Sequence, residues 1–331
     1  MRARMCVCVH YYSYVRMMIF YFKLKKSWEK FWWFGKNFRY LQRENKLNQL
    51  KRLGVMEKII VKEILKAMGV TYLGNVAQSM KLRLSQSNGT MTYCIYLAPS
   101  DMSGYNVCPN GQHCREHCLN GSGQNKCDEL ARGVEGSTIN KCRIKKTRFF
   151  YEHRADFMRL MIHEINVKRA KAKKLGYDFS VRINGTSDLS PCLFRDPDTG
   201  KNILELFKDV QFYDYSKRPS SIHEQKMFPN YDVTFSYDGY NWEWCKKHLD
   251  NDGKAAVVFF GNKLPQYFNG YRVIDANGYD MRYLDPKGCI MGLHYHTTAN
   301  DYVWDETTNK RKFRVPNTPF VVLPDDPRCE W

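Results

Sequence analysis

Residues 210–239 read VQFYDYSKRPSSIHEQKMFPNYDVTFSYDG. The stretch opens on aromatic and β-branched residues, breaks at Lys217-Arg218-Pro219, passes through a polar run and closes on a second aromatic and β-branched run before Asp238-Gly239. This pattern predicts a strand over VQFYDYSKRP, a short helical connection over SSIHEQKMF and a second strand over VTFSYDG. Two strands joined through a helix lie parallel in one sheet, because a parallel pair needs a crossover where an antiparallel pair needs only a hairpin.

The alternation continues on both sides. Upstream, TYCIYLAP (92–99) reads as a short strand stopped by proline. A long helical pattern runs from about Lys145 to Leu175, with Phe150, Phe157, Met161 and Ile165 on one face, Lys173 and Lys174 in the last turn and Gly176 as the stop. YDFSVRINGTSD is a strand entering a turn, and ILELFKD is a short helix. Downstream, NWEWCKKHLDN is helical, while AAVVFFGN, YRVIDANGYD and CIMGLHYH are strands. The expected fold is α/β: a full or partial (β/α) TIM-type barrel, with an open doubly wound sheet as the alternative. No Gly-x-Gly-x-x-Gly opens a helix and no Walker loop is present, which removes support for dinucleotide and P-loop versions.

Composition sets the outer limits. A chain of 331 residues with 43% hydrophobic residues has ample material for a core. Its formal charge of +18 is uneven: residues 1–55 hold 13 Lys and Arg against 2 Asp and Glu, so +11 lies there. That segment mixes basic and aromatic residues without a steady period. Its apolar stretch from Tyr11 to Phe22 is interrupted by Arg16 and falls short of the roughly 20 residues that span a bilayer, so no stable membrane insertion is expected. No small-residue cleavage site follows it, which argues against an export signal. A basic arm for a membrane surface or a nucleic acid is one reading. The favoured reading makes Met56, in MEKIIVKEILKAMGV, the working start, residues 1–55 an extension outside the fold, and 56–331 a single barrel-like domain.

Twelve cysteines without an export signal argue against a disulfide scaffold. Cys94, Cys192, Cys245 and Cys289 are scattered and read as small buried hydrophobes. NVCPNGQHCREHCLNGSG (106–123) differs, because it sets Cys108, Cys114 and Cys118 within eleven residues of a Gly- and Asn-rich loop after the first strand. A [4Fe–4S] cluster on three thiolates keeps one iron open to a small molecule, and Pro109 with the glycines lets the loop wrap a bulky cluster. A zinc site is the alternative, with a fourth ligand drawn from Cys127, Cys142, His113 or His117, although C-x5-C-x3-C matches no common zinc knuckle.

Nearly every expected strand ends in polar residues: Asn184 and Asp188, Asp214 with Ser216 and Lys217, Ser236 with Asp238, Asn262, then Asp275. On a barrel these ends share one rim, where loop groups converge on a site, although Asn, Asp and Gly are also ordinary turn residues. Asp188, Tyr215, Lys217 and Asp275 are the catalytic candidates. Tyr215, Lys217 and Arg218 could meet an anionic substrate or a nucleic-acid phosphate, or form a solvated strand end. Asp275, Asp280, Arg282 and Asp285 also read as a structural ion-pair network closing the barrel. His294 and His296 share one face of a strand and read as packing or hydrogen-bonded histidines.

From about residue 75 to 300 the chain resembles bacteriophage proteins of the gene product 88 type. The matching stretches are LAPSDMSGYNVCPNGQHCREHCLNGSG, RIKKTRFFYEHRADFM, VRINGTSDLS, FYDYSKRP, AVVF and VIDANGYDMRYLDPKGCIMGLHYH. Those proteins are in turn similar in layout to radical-SAM barrels. The resemblance implies a phage or prophage origin, the cytoplasm of the infected or lysogenic host, and an iron–sulfur barrel; it brings no established reaction with it. In a radical-SAM arrangement Arg182, Asn184 and Asp188 would hold the amino and carboxylate groups of S-adenosylmethionine, with turn or ion-pair roles equally open to them. The cysteine spacing departs from the C-x3-C-x2-C usual in radical-SAM enzymes.

Three functions are compatible with these readings. One is an iron–sulfur enzyme modifying a nucleic acid, a nucleotide or a host component. Another is a zinc- or cluster-stabilised nucleic-acid-binding protein without catalysis, in keeping with a pI near 9.3 and 15% aromatic residues. The third is a structural or host-interaction phage protein.

Overall fold

The computed structural model describes residues 61–331 apart from 62, 67 and 112. The chain divides into two compact units, Met1–Thr71 and Tyr72–Trp331. The first is represented by a helical turn at 63–66. The boundary expected at 55/56, and the basic segment before it, lie outside the described residues.

The second unit opens with β1 (Gly74–Asn75), α1 (Met80–Ser87) and β2 (Thr90–Ile95). Beyond the cysteine loop come α2 (Gly123–Arg132), α3 (Thr138–Glu152), α4 (Arg154–Leu175) and β3 (Asp178–Arg182). There follow α5 (Ile203–Leu206), β4 (Gln211–Ser216), α6 (Pro219–Met227), β5 (Tyr231–Ser236), α7 (Trp242–Leu249) and β6 (Lys254–Phe259). The chain then forms β7 (Tyr267–Phe268), β8 (Tyr271–Asp275), β9 (Cys289–His294), the pair β10 (Tyr302–Asp305) and β11 (Lys310–Phe313), and finally β12 (Val321–Val322) and β13 (Cys329–Glu330). No helix among the described residues is long and apolar enough to cross a membrane.

The strand–helix–strand reading of 210–239 holds: β4 and β5 are parallel, with Tyr215 opposite Thr234, and α6 connects them. The sheet order is β1-β2-β3-β4-β5-β6-β9-β8-β7-β13, and the seven strands from β2 to β8 along this path run parallel. Among the described residues the sheet does not close into a full barrel. Its edges carry short antiparallel strands instead, β1 on β2 at one end and β7 with β13 at the other. Such short edge strands end a sheet without offering a partner for closure.

The helix expected over 145–175 is two helices, parted at His153, whose φ of −134° and ψ of 49° are not helical. Arg154 accounts for the break. Its Nε donates to the Phe150 carbonyl at 2.9 Å and its guanidinium lies 3.6 Å from the centre of the Phe150 ring, so a side chain takes the acceptor that the next backbone turn would have used. The expected apolar face is intact: Phe150, Phe157, Met161 and Ile165 are fully buried, and Gly176 ends α4 in the left-handed region.

The two faces of the sheet differ in chemistry. Phe235, Ala255, Val257, Phe259 and Ile290 pack with Cys245 and Leu249 of α7 in an apolar layer. The opposite face is polar towards β2, β3 and β4, where barrel interiors ordinarily hold branched aliphatic residues. There Thr92 and Ser180 share a hydrogen bond of 2.8 Å, Arg182 pairs with Asp280 at 2.9 Å, and the Tyr213 hydroxyl donates to the same carboxylate. Lys254 binds Asp232 at 2.7 Å and the Arg282 carbonyl at 2.7 Å, and Arg282 pairs with Asp285 at 3.1 Å. Asp280, Arg282 and Asp285 thus form ion pairs as expected, whereas Asp275 stands apart, accepting from the Asn277 backbone and side chain.

Glu164 of α4 fixes the first edge. It accepts from the Leu73 and Gly74 amides, both at 3.0 Å, and from the Tyr93 hydroxyl at 2.6 Å. Gly74 is required there, since a Cβ would sit 2.5 Å from the Tyr93 ring. Removing the shared acceptor leaves three buried donors without a partner. Glu164→Ala should therefore lower the unfolding free energy by about 3–5 kcal/mol, and Tyr93→Phe by only about 1 kcal/mol. Urea denaturation of the two variants checks the ordering.

Candidate functional site

The cysteine loop leaves β2 and folds across the C-terminal ends of β3 and β4. Two contacts from the loop after β3 hold it there. The Thr186 hydroxyl donates to the Leu97 carbonyl at 2.5 Å, and the Asp188 amide donates to the Val107 carbonyl at 2.8 Å. Asn106 shapes the next turn by accepting from the Cys108 amide at 2.9 Å. Gly111 follows, where a Cβ would sit 2.9 Å from the Cys108 Cβ, so the chain can close over Cys108 only with glycine at this position.

Cys108, Cys114 and Cys118 line one cavity of about 290 Å³, together with Gly111, Asn120 and Thr298. Burial pushes the Cys108 thiol up to about 12, against the Ser100 amide, which donates to its sulfur at 3.4 Å. Burial also raises Cys118, opposed by the Asn120 amide and by the charges of Lys217 and Arg143. Burial alone would lower Lys217, but Cys114, Asp188, Cys108 and Cys118 together hold it above its ordinary value. The Cys108 and Cys118 thiols therefore rest neutral, and a metal ion binding there would displace their protons.

Among the described residues no three His, Cys, Asp or Glu side chains are already gathered tightly enough for a single metal ion. The residues considered for a fourth zinc ligand also lie apart from this cavity. His117 is turned to Tyr295 and Asp301, with Nδ1 at 2.9 Å from the tyrosine oxygen and 3.3 Å from the carboxylate. His113 packs on Tyr240 with ring centres 4.3 Å apart, Cys127 is exposed on α2, and Cys142 lies on α3. A second cavity, lined by Asn110, His113, Lys217, Asp238, Tyr240 and Trp244, flanks the loop on its other side.

Asp188 organises this rim. Its carboxylate accepts from the Ser216 hydroxyl at 2.7 Å, the Lys217 amide at 2.9 Å and Arg218 Nε at 3.3 Å. Arg218 also pairs with Glu224 at 2.8 Å. Asn184 is equally engaged: its amide group donates to the Leu189 carbonyl and to Asp214, and its oxygen accepts from Ser187 and the Leu189 amide. Arg182 is paired with Asp280 and stacked 4.8 Å from the Tyr215 ring, with only Nε lacking a partner among the described residues. In this geometry Asn184 and Asp188 have no group to spare for S-adenosylmethionine. Tyr215 lies on the polar face with Arg182, and Asp275 is exposed at the end of β8. Of the four catalytic candidates, Asp188 and Lys217 interact electrostatically with the cysteines, and Lys217, which lines the second cavity, sets its ammonium group 5.7 Å from the Phe320 ring centre.

His294 is half-buried with Nδ1 unpartnered among the described residues, and His296 is exposed. The residue between them has the larger role. Tyr295 donates to Asp301 at 2.6 Å while sharing a hydrogen bond with His117, which ties the end of β9 to the cysteine loop. The alternation that groups His294 with His296 places Tyr295 on the opposite side of the strand.

Residues 68–314 match the family described as Gene product 88. The chain belongs to this family. No curated protein and no solved structure matches the chain. In this gene product 88 protein the matched residues include the cysteine loop, the seven parallel strands and the β10–β11 pair.

Two substitutions test the rim. Asp188→Ala should lower the unfolding free energy by about 3 kcal/mol and, by releasing the loop, make Cys108 react faster with an alkylating reagent in the folded protein. Urea unfolding and the rate of thiol modification read the two effects separately. Asp214 supplies a pH test, because burial raises its carboxyl from 3.8 to about 7 despite the Asn184 amide. The folded state then holds a proton that the unfolded state has lost, so wild-type stability relative to Asp214→Asn should fall as pH rises from about 4 to about 7 and level off above.

Proposed function

We propose that this gene product 88 protein is an iron–sulfur protein whose Cys108, Cys114 and Cys118 thiolates hold a [4Fe–4S] cluster at the C-terminal rim of a partial (β/α) barrel, in a manner similar to radical-SAM enzymes. The observation that carries the proposal is the convergence of three thiols, without a fourth ligand among the candidates, on one cavity. The donor set fits such a cluster. Soft thiolates select iron–sulfur or zinc, and a cluster edge keeps its ligands farther apart than a single ion does, which suits three sulfurs not gathered at single-ion spacing. When bound, a cluster of this kind supplies one-electron chemistry and an iron open to a small molecule.

The chain's own residues supply the surroundings. Lys217 offsets the charge of the thiolates, and the Ser100 amide donates to Cys108. Asp188 fixes the Lys217 backbone and the start of the loop relative to each other. The substrate of this reading is a nucleic acid, a nucleotide or a host component, met in the cytoplasm of the host bacterium. No step is assigned to S-adenosylmethionine, since Asn184 and Asp188, two of the three residues that would hold it, are engaged within the chain.

Protein made and kept without oxygen should be brown and carry about four iron and four sulfide per chain. Replacing Cys108, Cys114 or Cys118 by Ala should remove most of the iron, whereas Cys192→Ala or Cys245→Ala should leave it. A content of about one zinc per chain without acid-labile sulfide, dependent on Cys127 or Cys142, would overturn the proposal and leave the zinc-stabilised nucleic-acid-binding reading in its place.

A further inference from the structure

The β10–β11 pair is a separate two-stranded sheet beside the cysteine cavity. Its register sets Tyr302 opposite Phe313, Val303 opposite Lys312, Trp304 opposite Arg311 and Asp305 opposite Lys310. Side chains alternate along a strand, so Tyr302, Trp304, Arg311 and Phe313 share one face, and Val303, Asp305, Lys310 and Lys312 share the other, which Arg314 extends.

The first face makes the ribbon's contacts with the body of the protein, although Trp304, Arg311 and Phe313 remain exposed. Phe313 stacks on Phe260 with ring centres 6.3 Å apart, Lys126 lies 5.4 Å from the Tyr302 ring centre, and Arg311 donates to the Leu130 carbonyl at 2.7 Å. The second face is left to solvent: Lys310, Lys312 and Arg314 are all exposed. Among the described residues none of the three cations makes an ion pair with a carboxylate. The carboxylate of Asp305, which stands opposite Lys310 in the register, is turned into the hairpin and accepts from the Thr307 and Thr308 amides at 3.0 and 3.3 Å.

Three unpaired cations on one ribbon face are spaced by two residues each, about 6.6 Å per step along an extended strand. That repeat is close to the spacing of successive phosphates along an extended nucleic-acid strand. Such a row neutralises phosphates one by one and releases their counterions. We infer that the solvent face of β10–β11 binds the phosphodiester backbone of a nucleic acid.

Its position gives the contact a direction. Thr298 and Asn300 line the cysteine cavity and lead straight into β10. Asn300 donates to the Glu116 carbonyl within the cysteine loop at 2.6 Å, and Arg314 closes the ribbon by donating its amide to Asp301, the partner of His117. A strand lying along the basic face therefore passes the mouth of the cavity. The inference goes beyond the cluster proposal and does not rest on it, because the row of cations is in place whichever metal the cysteines hold.

The test compares the full chain with the triple substitution Lys310→Gln, Lys312→Gln and Arg314→Gln, using a fluorescein-labelled oligothymidylate and anisotropy titrations over a range of salt. Both proteins retain residues 1–55, so the difference between them reports the ribbon alone. The slope of log affinity against log salt should become shallower by about 2 for single-stranded DNA, and affinity at low salt should drop at least tenfold. A charge-keeping triple, Lys310→Arg, Lys312→Arg and Arg314→Lys, should bind as the wild type does. Thermal unfolding and iron content should be unchanged in both variants, and Cys108→Ala should keep its DNA affinity, so failure of the cluster proposal and failure of this one are separable. Equal slopes and affinities for the wild type and the Gln triple would overturn the inference. So would a Gln triple that keeps its DNA affinity but loses binding to phosphatidylserine vesicles, which would assign the face to an anionic membrane surface.

Discussion

One carboxylate joins the fold to the site. Asp188 lies just past β3, its amide holds the start of the cysteine loop, and its side chain holds the end of β4 through Ser216, the Lys217 amide and Arg218. The parallel register of β3 and β4 leaves their C-terminal ends side by side, and Asp188 turns that neighbourhood into a fixed relation between the loop and Lys217. Charge-assisted hydrogen bonds of this kind are roughly twice as strong as neutral ones, and burial makes the loss of any partner costly. The loop is thus pinned where it begins and closes back over Cys108 at Gly111, which brings three cysteines from a sequence span of eleven residues to one cavity.

The buried charges of the sheet divide into two groups with different consequences. Arg182 with Asp280, Arg282 with Asp285 and Lys254 with Asp232 pair on the polar face and hold the segment after β8 against it, with Arg182 Nε, Arg282 Nε and Nη1 and the Tyr215 hydroxyl lacking a hydrogen-bond partner among the described residues. Around the cysteines the balance is incomplete: Lys217 and Arg143 face thiols that burial keeps neutral. Neutral thiols become strong ligands only when a cation displaces their protons, which is the chemistry that the proposed cluster draws on.

Much of this was legible in the sequence. The period-two runs of β-branched and aromatic residues marked β2, β3, β4, β5, β6, β8 and β9, because a strand buried on one or both faces selects such residues wherever it sits in a sheet. Gly176 and the lysines before it announced the end of α4, and the spacing of Cys108, Cys114 and Cys118 singled out the loop. These are local signals, carried by neighbours along the chain.

Tertiary structure alone decided the rest. Whether the parallel strands close into a barrel depends on what covers the edges, and the two-residue strands β1, β7 and β13 are too short to leave a period in the sequence. The break at His153 follows from where the Arg154 side chain lies, not from a proline or glycine. Asn184 and Asp188 looked available because they stand at a strand end, yet their partners Asp214, Ser216 and Arg218 come from the next strand and its loop. His117 meets Tyr295 across 178 residues of sequence. A residue type advertises the chemistry it can perform, but whether that chemistry is spent inside the protein or left for a ligand is set by neighbours that only folding supplies.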